Sequence, residues 1–133
     1  MMTKKWQLTL TMLACGGFCA CQSNFDKRLA KEAKDFTTDN CPQVVEAGTV
    51  LDSLTYNQEK HIYGLHYSVS STNEQALREK GNMMHQLLLN ELRNNVSYKE
   101  VKAHRVTFRY IYRSQQNHTI VYTTDIQATE YGG

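Results

Sequence analysis

Four cysteines, five histidines and a run of arginines are the residues of this chain whose types and spacing could do chemistry. Three of the cysteines, Cys15, Cys19 and Cys21, lie within the first 21 residues, and only Cys41 belongs to the body of the chain. A disulfide framework would spread an even number of cysteines through the folded part, so stability has to come from an ordinary apolar core. Cys41 is the one thiol of the body that could act as a nucleophile. Asn40-Cys41-Pro42, however, closes a helical pattern, and the dipole at that end disfavours a thiolate. Cys41 is therefore read as a packing residue, with a thiol-dependent envelope enzyme as the alternative. The histidines His61, His66, His85, His104 and His118 show no zinc-site spacing with a matching cysteine or carboxylate. His61 and His66 are an odd number apart, so one strand would point them to opposite faces. Structural or solvated roles are expected for them, and neither a metal nor a cofactor is called for. The sequence holds no phosphate-cradling glycine loop, nucleophile elbow or metalloprotease motif, so no catalytic residue is assigned.

Arg105, Arg109 and Arg113 recur every fourth residue in a strand pattern, with Lys99 and Lys102 just before them. On one strand face they would stand about 13 Å apart. This predicts a basic strip, a candidate binding surface for an acidic protein face or lipid headgroups. The alternative is a solvated outer face whose long basic side chains lie over the sheet and blunt its edge.

The formal charge of +2 is carried by Lys4 and Lys5, so residues 21–133 are formally neutral. Without a positive field, nucleic acid is not an expected partner. Met1 to Lys5 is short and basic, Trp6 to Ala20 is mostly apolar, and small residues gather at Ala14, Gly16, Gly17 and Ala20. These are the three regions of a secretory signal. The apolar run is about 15 residues, short of the roughly 20 that span a bilayer. From Leu13 to Cys21 the sequence resembles the lipobox of bacterial lipoproteins, with Ala20 as the small residue before the cut and Cys21 as the acceptor. Phe18 and Cys19 depart from that pattern, Ala14-Cys15 is a rival site, and cleavage after Gly16 without lipid is a third possibility. The resemblance implies anchoring by acyl chains, at about 0.8 kcal/mol per buried methylene.

Residues 21–133 then read as a single domain. Phe25, Leu29, Ala33 and Phe36 make an apolar stripe on a helix of about 24–38, capped by Ser23 and stopped before Pro42. Thr49 to Tyr56 alternates, with Val50, Leu54 and Tyr56 on one side and Leu51, Ser53 and Thr55 on the other. His61 to Val69 returns, with Tyr63, Leu65, Tyr67 and Val69 facing the core. Glu74 to about Asn94 is the longest helical signal, with a stripe of Leu77, Gly81, Met84, Leu88 and Leu92 widened by Met83 and Leu87. Gly81 on that stripe suggests a close approach to the sheet. Two further strands follow, about 105–113 and 119–126. The fold class expected is α+β, a two-layer sandwich in α-ββ-α-ββ order with a four-stranded antiparallel sheet.

Asn40-Cys41-Pro42 together with Thr49-Val50-Leu51-Asp52-Ser53 resembles a pattern in small exported lipoproteins of Bacteroides-type bacteria. That resemblance implies location and carries no chemistry with it. The expectation is a cell-envelope protein, lipid-anchored and facing the periplasm or cell surface, whose sheet face binds another protein through the arginine strip and several tyrosines. A periplasmic small-molecule carrier, with its ligand between helix 74–94 and the sheet, is the other reading.

Overall fold

A computed structural model describes residues 22–132; the leader and the candidate acceptors Cys21 and Cys15 lie outside the described residues. Helix α1 runs over residues 22–40, so Ser23 lies within it rather than capping it; of the predicted stripe Phe25, Leu29 and Ala33 are buried and Phe36 is half-buried. Strands β1 (Gln43–Glu46), β2 (Thr49–Asn57) and β3 (Ile62–Val69) follow, then helix α2 (Ser71–Asn94). A 3-10 turn (Val96–Tyr98) and a short helix α3 (Lys99–Ala103) lead into strands β4 (Thr107–Ser114) and β5 (Ile120–Ile126), and helix α4 (Ala128–Tyr131) closes the chain.

The sheet has five strands in the order β1-β2-β3-β4-β5. It is mixed, because β3 and β4 run parallel while the other neighbours are antiparallel. This corrects the four-stranded antiparallel expectation. The reason is the length of α2: 24 residues span about 36 Å, more than the length of a strand, so the helix returns the chain to the end of the sheet where β3 began. The additional strand, β1, is four exposed residues joined to β2 by the Ala47-Gly48 turn, and it has no apolar alternation to reveal it. Gly48 has φ +82, and a Cβ there would stand 2.6 Å from Ser70 Oγ and 2.8 Å from Asn73 Nδ2. The turn is gripped by the start of α2: Ser70 N donates to Gly48 O at 2.9 Å, and Asn73 Nδ2 donates to Ala47 O at 2.9 Å. Ser70 caps α2, its side chain accepting from Asn73 N.

One face of the sheet carries the core. Tyr63 pairs with Phe108, Leu65 with Tyr110, Tyr67 with Tyr112 and Val69 with Ser114 across the parallel junction, and Leu54 lies beside Leu65. A register shift between Leu51 and Ser53 brings Leu51 to this same face, opposite Tyr67, where strict alternation would have turned it away. Both α1 and α2 bury their stripes here, Leu77, Leu88, Leu89 and Leu92 coming from α2. Thr37 Oγ1 of α1 accepts from Leu54 N at 2.9 Å, and Tyr56 Oη donates to Asp26 Oδ1 at 2.7 Å, fastening α1 to β2. Phe108, Tyr98, Tyr63 and Tyr131 form a tilted aromatic cluster with centroids 5.5–5.6 Å apart. The opposite face of the sheet has no helix over it among the described residues.

Gly81 does not approach the sheet: a Cβ there would meet nothing within 4 Å. Gly81→Ala is therefore expected to stabilise the protein by about 0.5–1 kcal/mol, as helix propensity dictates. Gly48→Ala is expected to destabilise it by more than about 1 kcal/mol, through left-handed strain and the collision with Ser70 and Asn73. Urea unfolding of both variants checks the contrast in sign.

Candidate binding groove

The two helices do not cover their shared face completely. Beside α2, above the ends of β1 to β4, a groove of about 480 Å³ remains, and among the described residues none of its lining comes from α1. Its floor is Tyr67 and Tyr112, whose rings stack at 4.7 Å with 11° between planes, with Val69 and Thr49 beside them. One wall is α2, through Leu77, Met84, Leu87, Leu88 and Glu91; the other is β1, through Val45 and Glu46. Leu87 is 48% exposed and Val45 49%, so apolar side chains form the open rim. The apolar stripe of α2 thus divides. Leu77, Leu88 and Leu92 are core, whereas Leu87 and the 60% exposed Met83 stand outside it. Burial raises the phenol pKa values of Tyr67 and Tyr112, and the charge of Glu91 adds to the effect on both, so the hydroxyls are neutral donors at any physiological pH.

The arginines lie elsewhere. Arg105 is not on the strand; it sits in the turn before β4 with φ +57, so the three-residue strip is reduced to Arg109 and Arg113 on β4. Arg109 is held by Asp125 of β5 in a two-pronged pair, Nε to Oδ1 at 2.8 Å and Nη2 to Oδ2 at 2.9 Å. Arg113 Nη1 stands 3.2 Å from His66 Nδ1. Both project from the uncovered face, opposite the tyrosines, so the arginines and tyrosines expected on one surface occupy two.

On that uncovered face His66 Nδ1 accepts from Arg113, which leaves Nε2–H to donate to Thr55 Oγ1 at 3.0 Å. An imidazole so occupied takes no proton from Thr55. Burial, followed by the Arg113 charge, holds the His66 pKa below its ordinary value. Gly64 leaves the space this pair needs, since a Cβ would lie 2.5 Å from Thr55 Oγ1. His61 has φ +55 in the turn before β3 and contacts Asp26 and Tyr56, so it is not a strand residue paired against His66. His104 stacks on Phe25 with centroids 3.5 Å apart.

His85 joins three elements. Its Nε2–H donates to Glu130 Oε1 and its Nδ1 accepts from Thr124 Oγ1, both at 2.6 Å, linking α2 to β5 and α4. A hydroxyl, an imidazole and a carboxylate in sequence form the arrangement that activates a nucleophile in hydrolases. Here the imidazole and the carboxylate are also committed to the docking of α4. Glu130 Oε2 accepts from Gln127 N at 2.8 Å in a capping box, Arg93 grips Glu130 O, and Tyr131 Oη donates to Val106 O at 2.8 Å. The bond from Gln127 N, then that from His85, holds the Glu130 pKa below 4.5. Cys41 is half-buried against the core, and desolvation followed by the Asp52 charge raises its thiol pKa, which makes the thiolate scarce at neutral pH.

Two outcomes follow from these contacts. Cys41 is expected to react with iodoacetamide at pH 7.5 at least about tenfold more slowly than in the urea-unfolded chain. A depressed Glu130 pKa contributes stability at pH values above 4.5 that is lost as pH falls through the lower folded value. Acid titration of stability is expected to show a shallower loss below pH 4.5 in Glu130→Gln than in the native chain.

The fold has solved counterparts. A Pseudomonas aeruginosa protein described as secreted superposes with a TM-score of 0.72 at 17% identity, over 83% of this chain and 95% of its own. EpsS, a pilotin of the Vibrio vulnificus type 2 secretion system, matches at 0.60 and 7% identity, over 84% of this chain and 96% of its own. The Vibrio cholerae type II secretion system pilotin AspS matches at 0.59 and 12% identity, over 85% and 97%. At these identities the likeness is one of fold. The expected likeness to Bacteroides-type lipoproteins finds no support in these comparisons. No curated protein matches the sequence. Residues 24–122 match the family described as Domain of unknown function (DUF8479), and the chain belongs to that family.

Proposed function

We propose that this protein is an envelope-located binding module whose working surface is the groove beside α2, and that lipid on Cys21 anchors it to a membrane facing the periplasm or cell surface. The observation that carries the reading is the exposed rim of Leu87 and Val45 over a groove floored by the half-buried Tyr67 and the buried Tyr112. Apolar side chains held at a rim without a covering element mark a surface used for association. The leader supports an address outside the cytosol. The fold, shared with a protein described as secreted and with two secretion-system pilotins, supports a role as an accessory that holds another protein. The face bearing Arg109 and Arg113 is given a subsidiary part, because Asp125 already occupies Arg109.

A small-molecule carrier is the second reading, favoured by one observation: about 480 Å³ falls within the range of ligand pockets. A thiol-dependent enzyme is disfavoured by the raised pKa of Cys41.

Two measurements test the proposal. Cys21→Ser is expected to move the protein from the membrane fraction to the soluble one, and the N-terminal peptide of the native protein is expected to carry acyl mass on Cys21. Acyl mass on Cys15 would shift the anchor, and a soluble native chain without added mass would remove it. A photo-crosslinking residue in place of Leu87 is expected to trap a discrete protein in intact cells, while the same residue in place of Thr123 on β5 does not. Adducts from Thr123 alone would overturn the assignment of the surface.

A further inference from the structure

The groove extends beyond its deepest part. A shallower hollow bordered by Asn90, Asn94 and Asn95 shares Leu87 and Glu91 with it as common walls. The two together follow α2 from Asn73 to Asn95, about 33 Å at 1.5 Å per residue. That length suits a helix of about 22 residues or an extended peptide of about ten, and exceeds the reach of a small ligand.

The groove also has a charge. Glu46 on β1 and Glu91 on α2 border the tyrosine floor from opposite walls, and Lys80 is the one cation among the described residues that line it. Among the described residues Glu91 has no ion-pair partner within 4.0 Å, and Glu46 accepts only a 3.3 Å bond from Thr49 Oγ1. Tyr67 and Tyr112 lie between these two carboxylate-bearing walls. Two carboxylates on opposite walls against a single lysine form an environment selective for a cation.

Resting on the groove as the working surface, we propose that its occupant is an amphipathic segment of a partner protein. The segment places a Lys or Arg between Glu46 and Glu91, beside the Tyr67–Tyr112 pair. Its apolar side chains lie against Leu87 and Val45, and its length matches the furrow along α2. The carboxylates set the register of the segment, and the apolar rim supplies the buried area.

The test is selection of a displayed library of 22-residue peptides on the full-length chain, followed by titration of the enriched peptides. Enriched sequences are expected to carry a single basic residue within an apolar face. Replacing that residue by norleucine is expected to weaken binding about tenfold. The Glu46→Gln, Glu91→Gln double variant, altered only at exposed positions, is expected to bind the two peptides within about twofold of each other. NMR of the native chain is expected to show shifts of the Tyr67 and Tyr112 rings with the basic peptide. Enrichment of apolar peptides without a basic residue, still abolished by Leu87→Glu, would overturn the cation and leave the groove as the binding surface. Enrichment insensitive to Leu87→Glu, or none, would overturn both.

Discussion

The parallel pairing of β3 with β4 is the constraint on which the rest of the structure depends. It sets Tyr63 beside Phe108, Leu65 beside Tyr110 and Tyr67 beside Tyr112, so that one continuous aromatic and aliphatic band crosses the middle of the sheet. Leu65 and Phe108 each contribute about 1.5–3 kcal/mol by burial, and both long helices draw on the same band. Because the crossover helix must lie over the sheet it connects, α2 is fixed in place by topology, with its start clamped to the β1–β2 turn through Ser70 and Asn73. Its end is held by the grip of Arg93 and His85 on α4.

With α2 held at both ends and α1 fastened to β2 through Asp26 and Thr37, neither helix covers the ends of β1 to β4. The band that forms the core runs out at Tyr112, still buried, and the half-buried Tyr67, which together floor a groove. The division is sharp along α2: Leu88 is 5% exposed and its neighbour Leu87 is 48% exposed. The uncovered face of the sheet follows a different logic. There Arg109 meets Asp125, Arg113 meets His66, Ser68 donates to Asp52, and Thr55 accepts from His66. Polar groups satisfied by one another form a surface that needs no partner, whereas an apolar rim over tyrosines gains from one.

Much of this was legible in the residues. Alternation located β2 to β5, and the spacing of Phe25, Leu29 and Ala33 located α1, because period is a local property of burial. Strand β1 was not legible, since Gln43 to Glu46 are all exposed and show no period. Parallel pairing was not legible either, because it depends on where a 24-residue helix sets the chain down. Leu51 reached the core through a bulge at Asp52 that no alternation rule anticipates. The arginine strip is shortened at Arg105 because the strand begins two residues later, at Thr107, and the pairing of Arg109 with Asp125 depends on the register of β5. The groove did leave a trace in the sequence: Met83 and Leu87 widen the apolar stripe of α2 beyond what its core contacts use.

The most direct test of the groove as the docking surface is oxidative footprinting of Tyr67, Met84 and Leu87 in intact cell envelopes and in the purified chain. The account predicts that these side chains are modified readily once purified and protected by at least about fivefold in the envelope, while Thr123 and Arg113 on the opposite face react alike in both. Equal modification of the groove side chains in both settings would contradict it.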